Sequence, residues 1–333
     1  MRSKVVLFAV TAVLAATVCL LPAAAARAGI PRAASEVRAE APVPRVVEAP
    51  SEVSAPAPAA LTPVGDIRHI KEVQSYLNVL PSPIFPPLVY YIGDSTARES
   101  VVSEGALVKA IAARTGGLQT QAYVLASSNQ TFPVDQFIAD GLPRGVGRDP
   151  ALVLIAVGLS RFTNKPATSS PLGDPLGPIT QLSPWAQHKY SARKILTTAQ
   201  KRALVKEWLA KRRPLFTTNE PEELDKLQEL VRACKERGWK VALVEMPLNT
   251  AIIGHAFDKP RAKFRADCLA AMPDVPYLKF RPAVVGLTNA NFYDLIHLVG
   301  NGASGDRSKW GGRAKFQASL AAQIAPLLAP PQP

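Results

Sequence analysis

Two short runs carry the residue types that acyl transfer needs. "YIGDSTARES" (91–100) sets Ser95 behind Gly93 and Asp94 at the end of an apolar run, and "NANFYDLIHLVGNG" (289–302) sets Asp294 three positions before His297. A serine hydroxyl is a poor nucleophile until a base takes its proton, and an imidazole serves as that base best when a carboxylate fixes its tautomer. Three positions make about one helical turn, so one short segment could hold Asp294 beside His297. Taken alone, Gly93-Asp94-Ser95 is also a good strand-to-helix turn in which Asp94 or Ser95 caps the next helix. The other three histidines have no comparable setting. His69 falls in a helix before the first strand, His188 in a basic stretch, and His255 in a loop after Gly254.

The elements that must position these residues can be read from the apolar pattern. Runs at 88–93, 121–126, 151–158, 240–247 and 276–280 are short and predominantly apolar, as strands buried on both faces are. Helical patterns at 96–114, 133–140, 184–213, 220–237, 260–271 and 311–328 separate or follow them. Alternating strands and helices predict an α/β fold with a parallel five-stranded sheet covered on both faces. Ligands of such sheets sit beyond the C-terminal strand ends, and Ser95 follows one of them.

With both blocks in this order, the chain resembles the SGNH, or GDSL-type, hydrolase superfamily over most of residues 86–328. The resemblance implies a flavodoxin-like three-layer α/β/α sandwich. It also implies Ser95 as nucleophile, His297 as base and Asp294 as its orienting partner. Thr96 stands where the motif's name has leucine. The family's second block maps onto Ser128-Asn129-Gln130-Thr131, and its third, G-x-N-D, onto Gly158-Leu159-Ser160-Arg161. The implied oxyanion hole is then the backbone of Ser95 and Asn129 with the hydroxyl of Ser160, which replaces the family's asparagine. Arg161 and Asn164 are the other candidates near that position. With Asn249, which follows Pro247 after the fourth strand, they are candidate substrate contacts. A helix at 96–114 would aim its N-terminal dipole at the developing oxyanion. The implied reaction acts on an ester-linked acyl group through an acyl-serine intermediate, ending on water in an esterase or on a hydroxyl in an O-acyltransferase. The substituted third block leaves open a degenerate domain that binds envelope glycan or polymer without catalysis. No cofactor is implied, and no zinc-type ligand spacing appears.

The rest of the chain bounds where this chemistry takes place. Residues 1–28 have a basic start, a long apolar centre and an Ala26-Arg27-Ala28 end, the pattern of an export signal. The same stretch is long enough to approach a retained anchor, and Val18 before Cys19 is bulky for a lipoprotein signal. Residues 29–63 are rich in Ala and Pro and read as a linker, leaving one domain at 64–329. Loss of residues 1–28 would remove three cations and no acid, taking the net charge from +13 to +10. Nine Lys or Arg against the single acid Glu207 fall in 187–213, so the predicted basic helix 184–213 is either a solvated face or a docking face for anionic envelope polymer or lipid. Nucleic acid is not expected, because no binding motif appears and the export signal argues against it. Cys234 and Cys268 would be the two remaining cysteines, able to pair once or to stay as buried thiols. The glycine-rich run 300–313 lacks phosphate-loop spacing and reads as a rim of the site.

Overall fold

The computed structural model describes residues 65–163, 172–185, 193–300, 305, 306, 308 and 310–329. The expected signal and linker, Asn164 and His188 lie outside them, as do parts of 184–213 and 300–313. The described residues fall within one compact unit, Pro58–Pro333.

The five expected strands are present: β1 Leu88–Gly93, β2 Gln121–Ala126, β3 Leu152–Val157, β4 Val241–Glu245 and β5 Tyr277–Leu278. All pair in parallel, in the order β2-β1-β3-β4-β5, and β1 is in register with both β2 (Gly93 opposite Ala126) and β3 (Ile92 opposite Ile155). This is the doubly wound flavodoxin-like order, whose switch point opens a crevice at the C-terminal ends of β1 and β3. Alternate strand residues feed two cores. Tyr90, Ile92, Leu125, Ile155 and Leu243 pack under helices Asp66–Val79, Phe132–Asp140, Arg213–Glu236 and Asp258–Ala271. Tyr91, Val124, Leu154 and Val244 pack under Glu104–Ala112 and Gly312–Leu328. The result is a three-layer sandwich, as expected.

Two helices differ from the sequence reading. The predicted helix 96–114 is two pieces, Ser95–Arg98 and Glu104–Ala112, with Ser103 capping the second through Ala106 N–H. A single turn after Ser95 has too little aligned backbone for the macrodipole expected of a long helix. The basic helix begins at Thr198, where Thr197 and Gln200 form a capping box, and residues 193–197 before it are irregular. It continues through a π-turn, Trp208–Arg212, into Arg213–Glu236. Trp208 and Phe216 are both buried although eight positions apart. A regular helix would rotate them about 80° from each other, and the extra residue of the π-turn brings them onto one inner face.

Cys234 and Cys268 are both free and buried, without the disulfide left open above, and burial raises each thiol to about 12. No described helix is long and apolar enough to cross a membrane.

Candidate active site

Gly93 ends β1 where the backbone must cross β3 closely. A Cβ built on it would lie 2.6 Å from Ala156 Cβ and 2.8 Å from Ala97 Cβ, well inside contact distance. Gly93, Ala97 and Ala156 are thus small for one reason, to let the turn after β1 lie on the sheet. Gly93→Ala is expected to cost about 1–3 kcal/mol of stability through overpacking and to push the Ser95 turn off the sheet. Denaturant unfolding checks this.

Asp94, also buried, fixes the turn through three hydroxyl or amide donors. Its carboxylate accepts from Thr96 N–H at 2.9 Å, from Thr96 Oγ1 at 2.6 Å and from Ser160 Oγ across the crevice. Ser95, half-buried, opens the one-turn helix and faces the last loop.

That loop is not the helical turn its spacing suggested. Phe292 and Leu298 form an antiparallel bridge, Tyr293 N–H donates to His297 O at 2.8 Å, and Asp294 Oδ1 accepts from the N–H groups of Ile296 and His297, both at 2.9 Å. Asp294 therefore shapes the loop with one oxygen and uses the other on the ring: Oδ2 lies 2.7 Å from His297 Nδ1. With Nδ1–H given to Asp294, Nε2 turns its lone pair to Ser95 Oγ at 3.0 Å. Burial alone would raise Asp294, but the bond from His297, its charge and the two backbone donors outweigh it and hold the carboxyl at about 2. It is a carboxylate at any working pH.

The other sequence candidates are placed differently. Asn129 is exposed in the loop after β2 with φ of 59°, a left-handed conformation that asparagine tolerates better than most residues. Gln130 braces that loop, accepting from Ser127 N–H and donating to Leu125 O and Asp135. Ser160 is buried and gives its only proton to Asp94, so its hydroxyl is not a free oxyanion donor. Arg161 is not a substrate contact. Its side chain has no exposed surface, pairs with Asp135 and stacks over Phe132 at 4.3 Å. Asn249 is buried too, and its amide donates to Asn289 Oδ1 at 3.0 Å and to Asp294 O at 3.2 Å. It braces the Asp294 loop from behind.

Four residues near the site were not anticipated. Lys201 is buried despite lying on the basic helix, and its ammonium donates to Asn289 O, Asn289 Oδ1 and Phe292 O at 2.7–3.0 Å, tying that helix to the start of the loop. Glu99 has no exposed side-chain surface and lies 3.9 Å from His297 Nε2. Arg193 Nη2 donates to Glu99 at 2.7 Å, while Nη1 lies 3.0 Å from His297 Nδ1 and 3.5 Å from Asp294 Oδ2. Arg313, also buried, donates to Leu298 O at 3.0 Å and sits 3.6 Å from Glu99. Glu99 follows Ser95 by four positions, the spacing that puts two residues on one face of a helical turn.

No family model matches the chain, and the search of curated proteins finds no match. Solved structures similar to it include a lipase/acylhydrolase from Enterococcus faecalis (13% identity, 74% of this chain and 100% of that one, TM-score 0.38). Others are a GDSL-like lipase from Bacteroides thetaiotaomicron (14%, 79% and 98%, TM-score 0.39) and a family two carbohydrate esterase from Clostridium thermocellum (12%, 74% and 65%, TM-score 0.35).

Proposed function

We propose that the protein is an SGNH-type serine enzyme that cleaves ester-linked acyl groups. The observation that carries this reading is the convergence of Ser95, His297 and Asp294, with the serine 202 positions from the histidine in sequence yet 3.0 Å from its Nε2. As Ser95 Oγ bonds to the ester carbonyl carbon, its proton passes to Nε2 and the carbonyl electron pair moves onto oxygen. The imidazolium then gives that proton to the leaving alkoxide as the carbon–oxygen bond breaks, leaving acyl-Ser95. Water, or an acceptor hydroxyl, repeats the cycle in reverse. The backbone N–H groups of Ser95 and Asn129 are the proposed oxyanion donors, two where a third would have come from the substituted block.

A fluorophosphonate probe tests the reading, since it phosphonylates only an activated serine. Stoichiometric labelling mapped to Ser95 supports it. An unlabelled, folded protein would instead favour a domain that binds envelope glycan or polymer without turnover, the reading suggested by Ser160's commitment to Asp94.

The place of action is proposed with it: export by residues 1–28, then retention at an anionic envelope surface by the basic helix. Arg202, Lys206, Lys211 and Arg213 on it and Lys194 just before it are all exposed, while Lys201 is taken by the fold. Binding to vesicles containing anionic lipid is expected at low salt. It should weaken severalfold on approaching 0.15 M, where the Debye length is about 8 Å. Co-sedimentation across a salt series checks this, and no binding at low salt reduces the helix to a solvated face.

A further inference from the structure

We propose that Glu99 is a positioning residue of this site, a second carboxylate that holds Arg193 against Asp294 and faces the Nε2 side of the imidazole. The inference rests on the ester-cleaving reading above. Among the described residues, the charged groups that meet Glu99 are Arg193, Arg313, His297 and Asp294. Arg193 comes from the segment before helix Thr198–Glu207, Arg313 from the start of helix Gly312–Leu328, and His297 and Asp294 from the last loop. His297 thus lies between two acids. Asp294 contacts Nδ1 at 2.7 Å and Glu99 lies 3.9 Å from Nε2, with one guanidinium reaching both.

The two acids are not equivalent. Burial raises Glu99 to about 7, against the pull of His297, Arg193 and Arg313, whereas Asp294 is held far down. A fully buried carboxylate so poorly solvated weakens the fold. With the folded value raised above the unfolded one, its contribution is most favourable below about 4.5 and is lost as pH rises through about 7. A glutamine would carry no such penalty. What the carboxylate offers in exchange is charge at the moment of reaction. When Ser95 gives up its proton, positive charge appears on the ring, and a fixed anion beside Nε2 stabilises that state without reorganising. Because the anion forms through pH 7, the rate gains a second dependence on pH in that region.

The test compares wild type with Glu99→Gln and Glu99→Asp, using fluorophosphonate labelling rates at pH 6 and pH 8 and thermal unfolding at both. Glu99→Gln should label about tenfold more slowly at pH 8, with a smaller pH 8 to pH 6 rate ratio and a higher Tm than wild type at pH 8. Glu99→Asp, keeping the charge, should recover part of the rate. Wild-type labelling with an unchanged rate in Glu99→Gln overturns the role of Glu99 and leaves the triad intact. So does a slower rate with a lower Tm at both pH values, which marks a merely structural ion pair. A wild type that takes no label sinks the ester-cleaving reading, and this inference falls with it.

Discussion

Ser95→Ala is expected to reduce ester turnover by roughly four to six orders of magnitude while leaving the fold and its thermal stability almost unchanged. Ser95 is half-buried and, among the described residues, its hydroxyl bonds to His297, so its loss opens no core cavity. The nucleophile and base act as one unit, so His297→Ala should cost about the same, and the double variant little more. Initial rates on p-nitrophenyl esters of increasing acyl length measure this and indicate the acyl size accepted. A Ser95→Ala protein retaining a tenth of wild-type activity would place the chemistry elsewhere.

Asp294→Asn separates two jobs of one carboxylate. Asparagine keeps an Oδ1 that accepts from the N–H groups of Ile296 and His297, so the loop should keep its shape. Its amide, however, would face Nδ1 as a donor and force the proton onto Nε2, where it blocks transfer from Ser95. The expected loss in kcat is about ten-thousandfold with KM little changed. A second signature lies in acid. Because Asp294 is held at about 2 rather than its ordinary 3.8, it contributes stability that is fully present above 3.8 and lost as pH falls through about 2. That amounts to about 2 kcal/mol. Unfolding curves between pH 2 and 5 should show wild type losing this increment and Asp294→Asn lacking it. Parallel curves would assign the low value to something other than the His297 contact.

The sheet was legible because its strands are short, largely apolar runs of strand length set between amphipathic helical stretches. Ser95 stood out by following Gly93-Asp94 at the end of an apolar run, and Asp294 and His297 by their spacing of three in a segment after the last strand. Less was readable wherever a polar side chain serves the backbone of a distant segment. Ser160, Arg161, Asn249 and Lys201 look in sequence like surface or site residues, yet their partners Asp94, Asp135, Asp294 O and Phe292 O are brought to them only by the folded sheet. The spacing of Asp294 and His297 suggested a helical turn where the chain forms a bridged loop, because the carboxylate's bonds to backbone N–H groups compete with helix and win. The break at 99–103 was hidden by good helix formers on both sides. Glu99 was hidden by its company, reading as the acidic member of an ordinary helix face.

The order of the parts along the chain has a consequence for the newly made protein. In the proposed roles, Ser95 arrives with the first strand, whereas its base His297 arrives 202 positions later in a loop held by Arg313, which donates back to Leu298 O, and by Lys201, which donates forward to Phe292 O. At ribosomal speeds of about 5–20 residues per second, roughly 10–40 seconds pass between the two. Through that interval the serine is chemically ordinary, and any chain cut short before residue 297 stays so for good. On the proposed triad the arrangement would act as a completeness check, since Ser95 gains its base only once the last loop has been made and seated.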